Sequence, residues 1–174
     1  QAHWLLSDIY IATGQADLAE SESSAACSLE PKNASYQLRH SRALALSGQY
    51  DEAVREVRAV LDCNDVPPIV RAQALHEMAR LASLGDAQIA TKAIPFENKA
   101  IEIADKLATS TNVKERRAAK QLLVEAHLAI AEEVSRQAFN KKVDSLTQWI
   151  GRASGIAEDY INQDGGSVEL RLLV

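Results

Sequence analysis

The stretch Gly48-Gln49-Tyr50-Asp51-Glu52-Ala53-Val54 reads as a glycine turn feeding a helix, and much of it occurs earlier as Gly14-Gln15-Ala16-Asp17-Leu18-Ala19. Gly14 to Gly48 is 34 residues, and Ala19 to Ala53 is 34 again. A shared period of that length means one helix–turn–helix unit used more than once, each burying its apolar face on its neighbours. Nothing along the chain reads as a strand, so the expected fold class is all-α.

Outward from this stretch, apolar residues recur at spacings of three and four. Trp4, Leu5, Ile9 and Ala12 mark a first helix that Gly14 ends. A second runs from Asp17 to Leu29, with Leu18, Ala19, Ala25 or Ala26, and Leu29 inward, and Pro31 stops it. A third spans Ala34 to Ser47 with Tyr36, Leu38, Ala43, Leu44 and Leu46 as its apolar positions. The fourth, Asp51 to Asp62, buries Ala53, Val54, Val57, Val60 and Leu61.

Past Pro67-Pro68 a fifth helix reaches Leu84 through Val70, Ala74, Leu75, Met78, Leu81 and Ala82. Gly85-Asp86-Ala87 again looks like the turn, but Gly85 follows Gly48 by 37 residues. Asp86 to Ile94 is expected to be an inserted loop or a single helical turn, and a further helix follows Pro95. After the polar break Thr109-Ser110-Thr111-Asn112 come two long helices, about Val113 to Ala138 and Lys141 to Ile161. The first carries Ala119, Leu122, Leu123, Ala126, Ile130, Val134 and Ala138; the second carries Val143, Leu146, Trp149, Ile150, Ala153, Ile156, Ala157 and Tyr160. Gly151 and Gly155, four apart on one face, each cost about 1 kcal/mol against Ala, and close approach of a neighbouring helix is the expected compensation.

The hairpins therefore fall at about 1–31, 34–65, 67–109 and 112–162, with 165–174 the start of another helix. Both ends fall inside or beside such patterns, so a piece of a longer protein is expected.

Composition narrows the function classes. The chain is 47% apolar and 25% charged, and its net charge is −5. Nucleic acid and anionic membranes both need basic surface, so neither is an expected partner. No apolar run approaches the roughly 18 residues of a membrane span. Cys27 and Cys63 form neither a disulfide framework nor a metal-spaced cluster, and both read as buried or half-buried thiols near helix ends. A reducing, cytoplasmic setting is the expectation that follows.

Catalytic constellations are missing. His76-Glu77-Met78-Ala79-Arg80 has Arg80 where a zinc-binding HExxH helix needs its second His. His3, His40, His76 and His127 are scattered one per hairpin. The serines of Ser21-Glu22-Ser23-Ser24 have no local base, and no glycine-rich phosphate loop is present. The chain is expected to be no enzyme, with no catalytic residue, metal or cofactor.

With Leu6, Tyr10, Gly14, Ala19, Ala26 and Pro31 in one unit and Leu44, Gly48, Tyr50, Ala53 and Leu61 in the next, the chain resembles tetratricopeptide repeats. Leu81, Gly85 and Ala100 extend the likeness; beyond residue 109 it fades. The resemblance implies a right-handed α-solenoid of antiparallel helix hairpins, about four here, whose first helices line a groove for a peptide or partner helix. It places Trp4, Asp8, Ile11, Leu38, Arg39, Arg42, Leu75, His76 and Ala79 in that groove. Trp4/Asp8 and Leu38/Arg42 stand where a carboxylate-gripping clamp would have Lys and Asn, which counts against a chaperone-tail receptor. Arg39 and Arg42 still offer planar forks to an acidic group.

Two functions are thus expected to compete. One is a non-enzymatic scaffold that binds a protein or peptide of unknown identity. The other is a structural spacer or self-association segment, and so a possible homo-oligomer, within a larger multidomain protein that could itself be an enzyme.

Overall fold

The computed structural model describes residues 2–84, 93–137 and 144–165. The expected turn at Gly85, most of the insertion after it, Ala138, Val143 and the helix beginning past Gly166 lie outside the described residues. Within them the chain is all-helical. The helices are α1 (Ala2–Ala12), α2 (Ala16–Leu29), α3 (Ala34–Leu46), α4 (Tyr50–Asp62), α5 (Pro68–Leu84), α6 (Ala93–Leu107), α7 (Val113–Gln137) and α8 (Asp144–Asp164).

Their ends follow local chemistry. Gly14 and Gly48 hold φ of 71° and 79°, a left-handed conformation that costs a residue without Cβ little. Each closes its helix in the same way: Gly14 N–H reaches Ile11 O and Gln15 N–H reaches Tyr10 O, while Gly48 reaches Ala45 and Gln49 reaches Leu44. This double closure satisfies the last carbonyls of the helix. Asn33 accepts from Ser35 N–H at the start of α3, and Asn112 accepts from Lys114 and Glu115 N–H at the start of α7. α6 begins at Ala93, two residues ahead of Pro95, so the proline sits in the first turn, where its missing N–H costs no bond.

Each helix packs on the next in sequence, and α1–α3, α3–α5 and α5–α7 also touch. The main core joins α3, α4 and α5 through Leu38, Leu44, Val57, Val60, Met78 and Leu81. A second core gathers Ala72, Ala104, Ala119, Leu122 and Leu123, and a third sets Val124 of α7 on Ala153, Ala157 and Tyr160 of α8. Alanines at these crossings allow close approach of the backbones.

Ser7 and Ser41, 34 residues apart, tie the first two hairpins identically. Both are fully buried, and their hydroxyls donate to Ala19 O and Ala53 O at 3.3 and 3.0 Å. Sequence periodicity passed over both serines.

Several expectations need correction. Leu5, Ile9, Leu18, Leu29 and Leu46 are exposed by 41–68%. Among the described residues α1 packs mainly on α2 and α3, on the side carrying Ser7, so apolar spacing alone overstated its buried face. Ile150 is also exposed. Cys63 is exposed at the end of α4, while Cys27 is half-buried. Gly151 and Gly155 are not sites of close approach, since a Cβ added at either would meet nothing within 4 Å.

Candidate functional site

The contacts among α1, α3 and α5 align one side of each helix, and charged residues on that side pair across them. Asp8 of α1 receives Arg39 Nε of α3, and the Arg39 guanidinium lies 4.4 Å from the Trp4 ring centroid. That stacking adds a cation–π attraction to the ion pair. Burial raises the Asp8 carboxyl, with Arg39 and Arg42 opposing.

One turn along α3, Arg42 Nε donates to Glu77 Oε2 at 2.9 Å. Arg80, one turn further along α5, closes on the same carboxylate at 3.2 and 2.7 Å. Glu77 is fully buried. Burial alone would raise its carboxyl, but the charges and hydrogen bonds of Arg42 and Arg80 outweigh it and hold the group below the usual range. One buried carboxylate thus organises two half-exposed guanidiniums.

Trp4, Leu38, Arg39 and Arg42 surround a cavity of about 210 Å³ together with Ser35 and Gln73. The structure therefore brings four of the residues expected in the groove to one place, with Asp8 behind them. Ile11 and Leu75 are half-buried outside this lining. His76 is buried and turned toward α6, where its Nδ1 meets both Glu97 carboxylate oxygens at 2.9 Å. Ala79 is 1% exposed and packs with Ala82 and Ala93, so no partner can touch it. Leu38 lines the cavity but is itself part of the core.

Gln73 and Glu77 escaped the sequence reading. The i,i+3 spacing of Glu77 and Arg80 was a legible hint. The 35-residue link from Arg42 to Glu77 was not, because only tertiary packing sets it.

The remaining candidates resolve into structure. Ser23 is buried; its hydroxyl donates to Glu20 O and lies 3.0 Å from His40 Nδ1, which ties α2 to α3. Among the described residues, no group of three or more His, Cys, Asp or Glu is arranged to hold a metal ion. No described helix is long and apolar enough to cross a membrane. No protein-family model matches the chain, and no curated protein matches it.

Proposed function

We propose that this chain is a tetratricopeptide-like array, a right-handed solenoid of helix hairpins, acting as a non-enzymatic scaffold that docks a peptide segment. The observation carrying the function is the cavity at Trp4, Leu38, Arg39, Arg42 and Gln73, on a side shared by successive first helices. Support for the array comes from the matched glycine closures and the Ser7 and Ser41 bonds one period apart.

The lining suggests what the peptide offers. Arg39 and Arg42 already face Asp8 and Glu77, so a full ion pair with a ligand would compete with internal partners. Gln73, Ser35 and the Trp4 ring favour an extended peptide with an amide or hydroxyl side chain beside an apolar one.

Leu38→Ala would hollow the core, and Arg42→Glu would set a second carboxylate against buried Glu77, so both report on folding as much as on binding. Trp4→Ala combined with Gln73→Ala is the cleaner probe. Capture of binding proteins from lysate should fall to background while unfolding free energy shifts by no more than about 1 kcal/mol, near the usual scale for surface changes. Undiminished capture by that folded variant would sink the reading.

Self-association is a second reading, favoured by the exposed face of α1 and α2. Ile9 is 55% exposed, whereas Ala43, one period on, is fully buried. Light scattering of the Ile9→Glu variant beside the parent chain decides it: equal mass for both, at one chain each, removes this alternative.

A further inference from the structure

A second cavity, about 430 Å³, lies among α5, α6 and α7, and none of the roles above uses it. His76 stands in its wall, 7% exposed. His76 Nδ1 lies 2.9 Å from both oxygens of the Glu97 carboxylate, which leaves Nε2 on the side of Glu125. Nε2 makes no hydrogen bond among the described residues, and Glu125 Oε2 stands 3.9 Å away on α7. Nε2 and the Glu125 carboxylate thus stand side by side in the cavity wall, where one donor can reach both.

The charges nearby favour a cation. Arg80 is held by Glu77, and Arg136 by Glu132 at 2.7 Å, so both guanidiniums have internal partners. Among the described residues, Glu97 and Glu125 both face the His76 ring, and Glu125 also accepts from Gln121 Nε2. Burial pushes the Glu97 carboxyl up, hydrogen bonding and charge at His76 oppose this, and Glu125 and Glu77 push it further up. A donor cation in the cavity would relieve that repulsion. The rest of the wall is mostly apolar, including Ile94, Leu128 and Ile130, and suits a hydrocarbon chain.

We infer that the α5–α6–α7 cavity binds a primary alkylammonium group, which donates to His76 Nε2 and Glu125 while its chain lies on Ile94, Leu128 and Ile130. A free alkylamine and a lysine side chain of another protein share this chemistry.

Imidazole NMR of the whole chain, labelled with ¹⁵N at histidine, tests it with n-butylamine and with acetyl-lysine-methylamide. Binding of so small a ligand is expected in the roughly millimolar range. The His76 Nε2 resonance should shift saturably with n-butylamine and stay unmoved with n-butanol. Saturation by the lysine compound as well assigns the site to a protein-borne lysine; saturation by butylamine alone assigns it to a free amine.

Glu125→Gln alters a side chain 42% exposed. It should weaken binding about tenfold or more, whereas Glu102→Gln on the exposed side of α6 should leave it unchanged. No saturation by about 50 mM butylamine, equal response to butanol, or undiminished binding in a folded Glu125→Gln chain would each overturn the assignment. If that variant fails to fold, the comparison of butylamine with butanol on the parent chain still decides.

Discussion

Ser41 fills the crossing of α3 and α4, and its buried hydroxyl donates to a carbonyl of the facing helix. Ser41→Ala removes the donor with little change of volume, so urea unfolding should show a loss of about 1 kcal/mol. Ionisation at two other residues sets the acid limit. Arg116 hydrogen bonds, helped by Lys120, hold Asp164 at about 2, and Arg42 and Arg80 keep Glu77 low against its burial. A carboxylate depressed by folding stabilises the protein above its unfolded value, near 4, and that contribution is lost as pH falls through the folded value. Urea midpoints should therefore fall between about pH 4.5 and pH 2, and Asp164→Asn should flatten that fall. A variant whose midpoint drops as steeply as the parent's would remove Asp164 from the account.

The helices differ in how firmly they are held. Gly151 and Gly155 stand in the middle of α8 with open space where a Cβ would go, and neither has a positive φ. Alanine at each should raise unfolding free energy by about 1 kcal/mol, additively if the α8 face stays free. A loss of stability would show instead that the open face is occupied in solution. α1 and α2 contribute to none of the apolar clusters and are tied down by Ser7, His3–Glu22 and Arg39–Asp8. Amides of this hairpin should exchange faster than those of α3 to α5.

Among the described residues, contacts run between helices that are adjacent or next but one in sequence. Stability in such a chain is a sum over neighbours, so the two ends need not melt together. Trp4 reports on the first hairpin and Trp149 on the last. In single-tryptophan variants, Trp149→Phe and Trp4→Phe, denaturant fluorescence should give an earlier midpoint for Trp4 than far-UV circular dichroism gives for the chain. Coincident midpoints would mean that the main core of α3, α4 and α5 couples the whole chain into one unit.

Helices, turns and period were readable from the chain because they rest on chemistry a few residues wide, such as the turns at Gly14 and Gly48 and the polar break ending at Asn112. The start of α6 was not, since it begins at Ala93, ahead of Pro95. Trp4, Arg39 and Arg42 were legible as candidates through the tetratricopeptide resemblance, which puts the first helices of successive hairpins along a groove. Their partners were not. Arg42 meets Glu77 and His76 meets Glu97 only once helices distant in sequence lie side by side, and the same packing leaves Leu5 and Ile9 in solvent. Spacing says which residues share a face of a helix. Which faces meet, and hence which charges are neutralised and which cavities stay open, depends on how the helices pack against one another.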